Sequence, residues 1–172
     1  MTRMTRTYRP ALPDGRLAEP TRLNAHGRRV IDIDSYVPYF LIAVNNALSR
    51  GASARYLREF GVGVTEWRVL SWLATEPGIP ASRICEVIAL DKAAVSRAVA
   101  RLADMDLIEA VVSPTDPRKR RISPNPAGYA LHDRILEAAL EREALLIEGV
   151  DPDDLEAFLR VMRVMRQNVD RL

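Results

Sequence analysis

With 172 residues, 48% hydrophobic and 28% charged, the chain is long enough for one globular domain with a sizeable core and too short for two. Its single cysteine, Cys85, forbids an internal disulfide, and Cys85 with His26 and His132 cannot assemble a four-ligand zinc site unaided, so neither a disulfide scaffold nor a metal centre is expected. The formal net charge is only +2, no apolar run approaches the ~18 residues of a membrane span, and the opening residues lack the apolar segment of a secretory signal, so a cytoplasmic protein without a membrane partner is expected.

The small net charge hides segregation along the chain. Residues 1–30 carry Arg3, Arg6, Arg9, Arg16, Arg22, Arg28 and Arg29 against Asp14 and Glu19, with no helical periodicity, and are expected to form a mobile basic arm. From residue 34 apolar side chains recur at helical spacing. Val37, Phe40, Leu41, Val44 and Leu48 form one stripe, with a break expected at Arg50-Gly51 before the pattern resumes through Tyr56 and Leu57. Thr65 is the expected N-cap of a second helix carrying Val69, Leu70 and Leu73, ended by Pro77-Gly78. Pro80 opens a short third helix through Ile88. Asp91 caps a fourth from Lys92 to about Met105, with Val95, Val99 and Leu102 facing inward and Asp106 at its end in a left-handed conformation.

The pattern then changes. Leu107 to Val112 is rich in β-formers and is separated from Arg120-Arg121-Ile122-Ser123 by a Ser113-to-Pro117 turn, which predicts a hairpin with a basic tip. Asn125 and Pro126 open a long helix with Leu131, Ile135, Leu136, Ala139, Leu145 and Leu146. A last helix after Asp151-Pro152 carries Leu155, Phe158, Leu159, Met162, Met165 and Val169. Residues 132–156 hold nine acids against Arg134 and Arg142, opposite in sign to the N-terminus.

A short helix, a tight connection, a capped helix and a two-stranded hairpin make a winged helix-turn-helix within a mainly α fold. The fourth helix suits the major groove of B-DNA and the hairpin reaches toward the adjacent minor groove. Arg97 is placed to fork onto guanine, Ala93 to meet a thymine methyl and Ser96 a base edge or phosphate. Lys92 and Arg101 suit phosphates, which position without specifying. No His pair at ligand spacing, phosphate loop or nucleophile elbow is present, so the chain is not expected to be an enzyme or to need a cofactor.

The residues that carry a closer resemblance are Thr65-Glu66-Trp67-Arg68-Val69-Leu70, Ala94-Val95-Ser96-Arg97-Ala98-Val99 with Arg101-Leu102, Leu107-Ile108, and Asp116-Pro117-Arg118. Over roughly residues 34–171 the sequence resembles the MarR family of bacterial transcription regulators. The resemblance implies that Arg118 enters a minor groove braced by Asp116, with Lys119 and Arg120 beside it on the same basic tip. Asp106 stands where the family usually has Gly, and Pro124-Asn125 where it usually has Leu-Thr, so the aim of the wing is in question.

The resemblance further implies a homodimer, built from the first and last helices, on a pseudo-palindromic stretch of double-stranded DNA. Its organisation would be an N-terminal arm (1–30), dimerisation helices (31–63), the DNA-binding region (64–125) and C-terminal dimerisation helices (126–172). A small effector, an aromatic acid or its CoA thioester, would sit among Tyr36, Tyr39, Phe40, Trp67, Arg68 and Trp72, with Arg68 or Arg55 for a carboxylate. Repression relieved by that effector is the implied mode. A winged-helix protein-interaction module and a sequence-indifferent DNA-coating protein are the alternatives.

Overall fold

The computed structural model describes residues 19–113, 116–169, 171 and 172, with the backbone alone at 113 and 116–119. Residues 1–18, with four of the arginines of the expected arm, lie outside the described residues. The chain divides into two compact units, Met1–Arg55 and Tyr56–Leu172.

In the first unit the sequence reading needs a correction. Residues 19–31 are not part of a structureless arm. They form an antiparallel hairpin of β1 (Thr21–Leu23) and β2 (Arg29–Ile31), with Thr21 opposite Ile31 and Leu23 opposite Arg29. The turn is built by Asn24, whose Oδ1 accepts the backbone N–H groups of His26 (2.9 Å) and Arg28 (3.0 Å), and by Gly27 at φ +71°, where a side chain would be strained. Asp32, 3% exposed, fastens this hairpin to the residues leading into the first helix. Its N–H donates to the Pro20 carbonyl (2.8 Å), and its Oδ2 accepts from Ser35 Oγ (2.8 Å).

Helix α1 (Val37–Phe60) then runs without interruption, so the expected break at Arg50-Gly51 is absent. One glycine costs a helix only about 1 kcal/mol, and the nearby Ala47, Ala52 and Ala54 are strong helix formers.

The second unit packs α2 (Val64–Thr75), α3 (Ala81–Ile88) and α4 (Lys92–Asp104) against one another, with β3 (Ile108–Ser113) and β4 (Asp116–Pro124) along their edge and α5 (Pro126–Leu146) behind α2. Val69, Leu70 and Leu73 of α2, Ile84 of α3, and Val95 and Leu102 of α4 are fully buried and meet Ile108, Ile122 and Ile135 at the centre. Each fully buried aliphatic side chain contributes about 1.5–3 kcal/mol relative to exposure. The inward stripe of α4 is Val95, Ala98 and Leu102; Val99, expected there, is half-buried, one position round the helix from Ala98 at the edge of the buried stripe.

The helix starts follow local chemistry. Thr65 lies inside α2 rather than ahead of it. The cap is Gly63, whose N–H donates to Glu66 Oε2 (2.9 Å), so the cap lies two residues upstream of Thr65. Asp91 and Asn125 cap α4 and α5 as expected, accepting from Ala94 N (2.8 Å) and Gly128 N (2.9 Å). Helix α6 (Pro152–Val169) begins after Asp151, whose Oδ1 accepts from Asp153 N (2.8 Å), and it buries none of its residues.

Candidate nucleic-acid interface

With Val95, Ala98 and Leu102 turned into the core, α4 exposes Lys92, Ala93, Ser96 and Arg97. These occupy positions i, i+1, i+4 and i+5, so they form one contiguous strip on the first two turns. Two bases, a hydroxyl and a methyl on such a strip match what groove edges and phosphates offer. The helix is aimed by the α3–α4 connection, where Ala89 stands at φ +50°, a left-handed conformation that costs a residue with a Cβ about 1–2 kcal/mol.

Arg101 has a different setting from the rest of the strip. It is exposed, but its Nη2 donates to the Gly61 carbonyl (3.0 Å), so part of the guanidinium is committed to tying α4 to the segment before α2.

The wing is a hairpin with a bulged tip. Val112 pairs with Arg120 and Ser113 with Asp116, leaving residues 117–119 of β4 without counterparts on β3. The strand therefore starts at Asp116, earlier than the expected Arg120. The side chains of Asp116, Arg118 and Lys119 lie outside the described residues, and so does the expected Asp116–Arg118 brace. Arg120 is exposed on the described part of β4. The next residue, Arg121, donates from Nη1 to the Gly78 carbonyl (3.1 Å). Ile122 exchanges backbone bonds with the Gly78–Ile79 segment, donating to the Ile79 carbonyl and accepting from Gly78 N, both at 2.9 Å. The wing is thus pinned to the end of α2 as well as to α4.

Its other anchor is where the two departures from the family pattern meet. Asp106 takes φ +54°, as its place after α4 requires, and its carbonyl accepts a 2.7 Å bond from Asn125 Nδ2. Asn125 also caps α5 and donates its own N–H to the Leu107 carbonyl (3.1 Å). Gly128 lies so close beneath that a Cβ there would run into the Leu107 carbonyl oxygen. One residue, Asn125, therefore fixes the helix exit and the start of α5 through its carboxamide and the root of the wing through its backbone N–H.

Known proteins share both the sequence pattern and this arrangement. A model of the MarR family matches residues 60–119, which run from the end of α1 through α4 to the wing tip. The crystal structure of a MarR/EmrR family transcriptional regulator from Acinetobacter sp. ADP1 superposes with a TM-score of 0.77 at 30% identity, covering 83% of this chain and all of that one. The chain belongs to the MarR family. It is therefore a DNA-binding transcription regulator of winged-helix fold, as the sequence pattern implied. The HTH-type transcriptional regulator PetP of Rhodobacter capsulatus is 24% identical over 111 residues, 64% of this chain and 67% of PetP. The S. aureus MepR–DNA complex shares the fold, with a TM-score of 0.70 at 18% identity over 78% of this chain and 98% of MepR.

The aromatic residues of this MarR-family chain that were expected to line an effector site fall in both units. In the first, Tyr39 and Phe40 are exposed and meet edge to face at 6.5 Å, Tyr36 is half-buried, and Arg55 is half-buried. In the second, Trp67 lies against His132 of α5 with ring centroids 5.4 Å apart and receives Tyr56 edge-on at 6.3 Å. Trp72 Nε1 is 3.3 Å from Glu76 Oε2, which satisfies its polar edge, and Arg68 is half-buried.

Tyr56 and His132 were not singled out as site residues from sequence. Tyr56 is buried, and His132 flanks the α5 core stripe of Leu131 and Ile135 with Nδ1 2.9 Å from Asp133 Oδ1. Neither shows a sequence signal of its own, because their meeting at Trp67 depends on how α2 and α5 pack. Among the described residues no group of His, Cys, Asp and Glu could hold a metal ion, and no helix is long and apolar enough to cross a membrane.

Proposed function

We propose that the protein acts as a homodimeric, operator-specific repressor released by a small aromatic carboxylic acid or its CoA thioester. The observation that carries the specificity is the strip Lys92, Ala93, Ser96 and Arg97 on a helix whose other side is locked in the core. Arg97 and Ala93 read base edges in the major groove, Ser96 reads a base or a phosphate, and Lys92 and Arg101 hold phosphates. Arg118, braced by Asp116, enters the flanking minor groove, with Lys119 and Arg120 on its backbone. The MepR–DNA complex, a relative by fold, supports DNA as the partner.

Pairing of two copies is supported by apolar surface with no cover in one chain. Tyr39, Phe40, Ile42 and Val44 of α1 and Phe158, Val161 and Val164 of α6 are each about half exposed. Two copies related by a two-fold axis would bury these faces and present two α4 helices to half-sites about one DNA turn apart. The effector reading is supported by the rings of Trp67, Tyr56 and His132, which meet from three helices. An effector that favours one spacing of the two lobes lowers DNA affinity by the ratio of its affinities for the two states.

The test is fluorescence anisotropy, at one fixed near-physiological salt, on DNA from the region upstream of the protein's own gene and on a scrambled duplex. A preference for the native fragment of roughly a thousandfold, reduced by an added aromatic acid or thioester, is expected. Equal binding to both duplexes would support a coating protein, and binding to neither an interaction module.

A further inference from the structure

The basic run of the wing, Arg118 to Arg121, divides at its last member. Arg121 is exposed, yet its Nη1 donates to the Gly78 carbonyl at 3.1 Å. That carbonyl belongs to a stiff turn. Pro77 and Pro80 fix φ on either side of Gly78 and Ile79, and Gly78 takes φ +77° with its N–H donating to the Ile122 carbonyl. Ile79 and Ile122 are both buried. The acceptor therefore has little freedom, and the guanidinium bonded to it is held by the body of the lobe rather than by the hairpin.

The place of this bond along the strand gives it leverage. The attachments of Ile122 and Asn125 hold the root of β4. Arg121 lies closer to the tip than either. Beyond it Arg120 pairs with Val112 of β3, and residues 117–119 have no counterparts. Three residues of strand, about 10 Å, separate position 121 from position 118, so a tilt of about 20° at Arg121 moves position 118 by about 3 Å, half the width of a minor groove.

The same device closes the other end of α2. Arg101 of α4 donates to the carbonyl of Gly61, which takes φ +74° just ahead of α2, as Arg121 of the wing donates to Gly78 just after it. Helix α2 thus holds α4 at its start and the wing at its end, each through an arginine and a glycine carbonyl.

We propose that Arg121 is a positioning residue for DNA binding: it fixes the wing against the α2–α3 turn so that Arg118 meets the minor groove, and it does not itself contact DNA. This rests on the reading of Arg118 as the minor-groove residue and adds what holds it in place.

Arg121→Ala, Arg118→Ala and the double variant are compared with the wild type by fluorescence anisotropy, on the duplex from upstream of the protein's own gene and on its scramble, each over a series of salt concentrations. Arg121→Ala is expected to weaken binding to the native duplex about three- to tenfold, the worth of one hydrogen bond, and to leave the scrambled duplex and the salt slope unchanged. In the double variant the loss equals that of Arg118→Ala alone, because the effect of Arg121 runs through Arg118. Hydrogen exchange of the Arg121→Ala protein keeps wild-type protection at the Ile122 and Asn125 amides, which separates a tilted wing from an unfolded one.

Equal weakening on both duplexes with a salt slope lower by about 1 would make Arg121 a phosphate contact and overturn the proposal. So would losses that add in the double variant, lost protection at Ile122 and Asn125, or an Arg121→Ala protein that binds like the wild type while Arg118→Ala is costly. An Arg118→Ala protein that binds both duplexes like the wild type would overturn the minor-groove reading itself, and the aiming role of Arg121 with it.

Discussion

The body of the winged lobe and helix α6 use the same kinds of residues to opposite ends. In the lobe, Leu70, Leu73, Ile84 and Leu102 are sealed from solvent, and Arg101, Arg121 and Asn125 are bonded to backbone carbonyls of neighbouring segments. In α6 the apolar spacing is just as regular, yet no residue is buried and Phe158, Val161, Val164 and Val169 each stand more than half exposed. The difference separates two ways for an apolar face to be satisfied. On the homodimer proposed above, a lobe that must hold α4 in fixed register completes its core within one chain, whereas α6 keeps its face for a second chain.

The sharpest way to break this contrast is to remove one side chain from each region. Leu102→Ala opens a cavity inside the lobe and is expected to cost about 2–5 kcal/mol in denaturant unfolding at any chain concentration. Phe158→Ala is expected to act instead on self-association, so its loss of thermal midpoint should grow as the chain is diluted. Equal, concentration-independent losses from both substitutions would erase the distinction. Gly128→Ala probes the lobe from the other side, by overpacking. The added Cβ meets the Leu107 carbonyl, and a loss of about 1–3 kcal/mol with a displaced wing is expected in unfolding and DNA-binding assays.

Within the reading strip the two bases should separate. Arg97→Ala is expected to cost about 1–3 kcal/mol on the operator and to flatten the ranking of site variants in competition binding. Lys92→Ala should weaken all sequences alike and lower the salt slope by about 1. An Arg97→Ala protein that keeps the wild-type ranking would remove Arg97 as a base reader.

Smaller effects test how the lobe is aimed. Asn125→Ala removes a cap and the bond to Asp106 together and should lower stability by about 0.5–2 kcal/mol. Ala89→Gly relieves a left-handed alanine and should raise stability by about 0.5–1 kcal/mol in the same unfolding assay, the smallest change of the set.

The legibility of these features in the sequence depends on the range of the interactions behind them. Asp91 and Asn125 announce their helices because a cap bonds only three residues ahead, and the left-handed Asp106 follows from its place after α4. Features that depend on distant partners are not announced. Ala98 rather than Val99 faces inward in the packed lobe, and His132 meets Trp67 only through the packing of α2 and α5.

Two local features also escape a periodicity reading. The N-terminal hairpin has strands too short to show alternation, leaving Asn24 and Gly27 as its only signal. The uninterrupted α1 shows that one glycine among alanines is a weak helix stop. The exposure of Lys92, Ala93, Ser96 and Arg97 on α4 is legible from sequence alone, since it depends only on the period of one helix and the cap that starts it.

The most direct test of the account is a titration, at fixed salt, of the full-length protein on a duplex carrying both half-sites of its operator and on one with a single half-site scrambled. Two chains per duplex, with affinity falling at least a hundredfold when one half-site is lost, is the predicted result. One chain per duplex, or equal affinity for both DNAs, would contradict it.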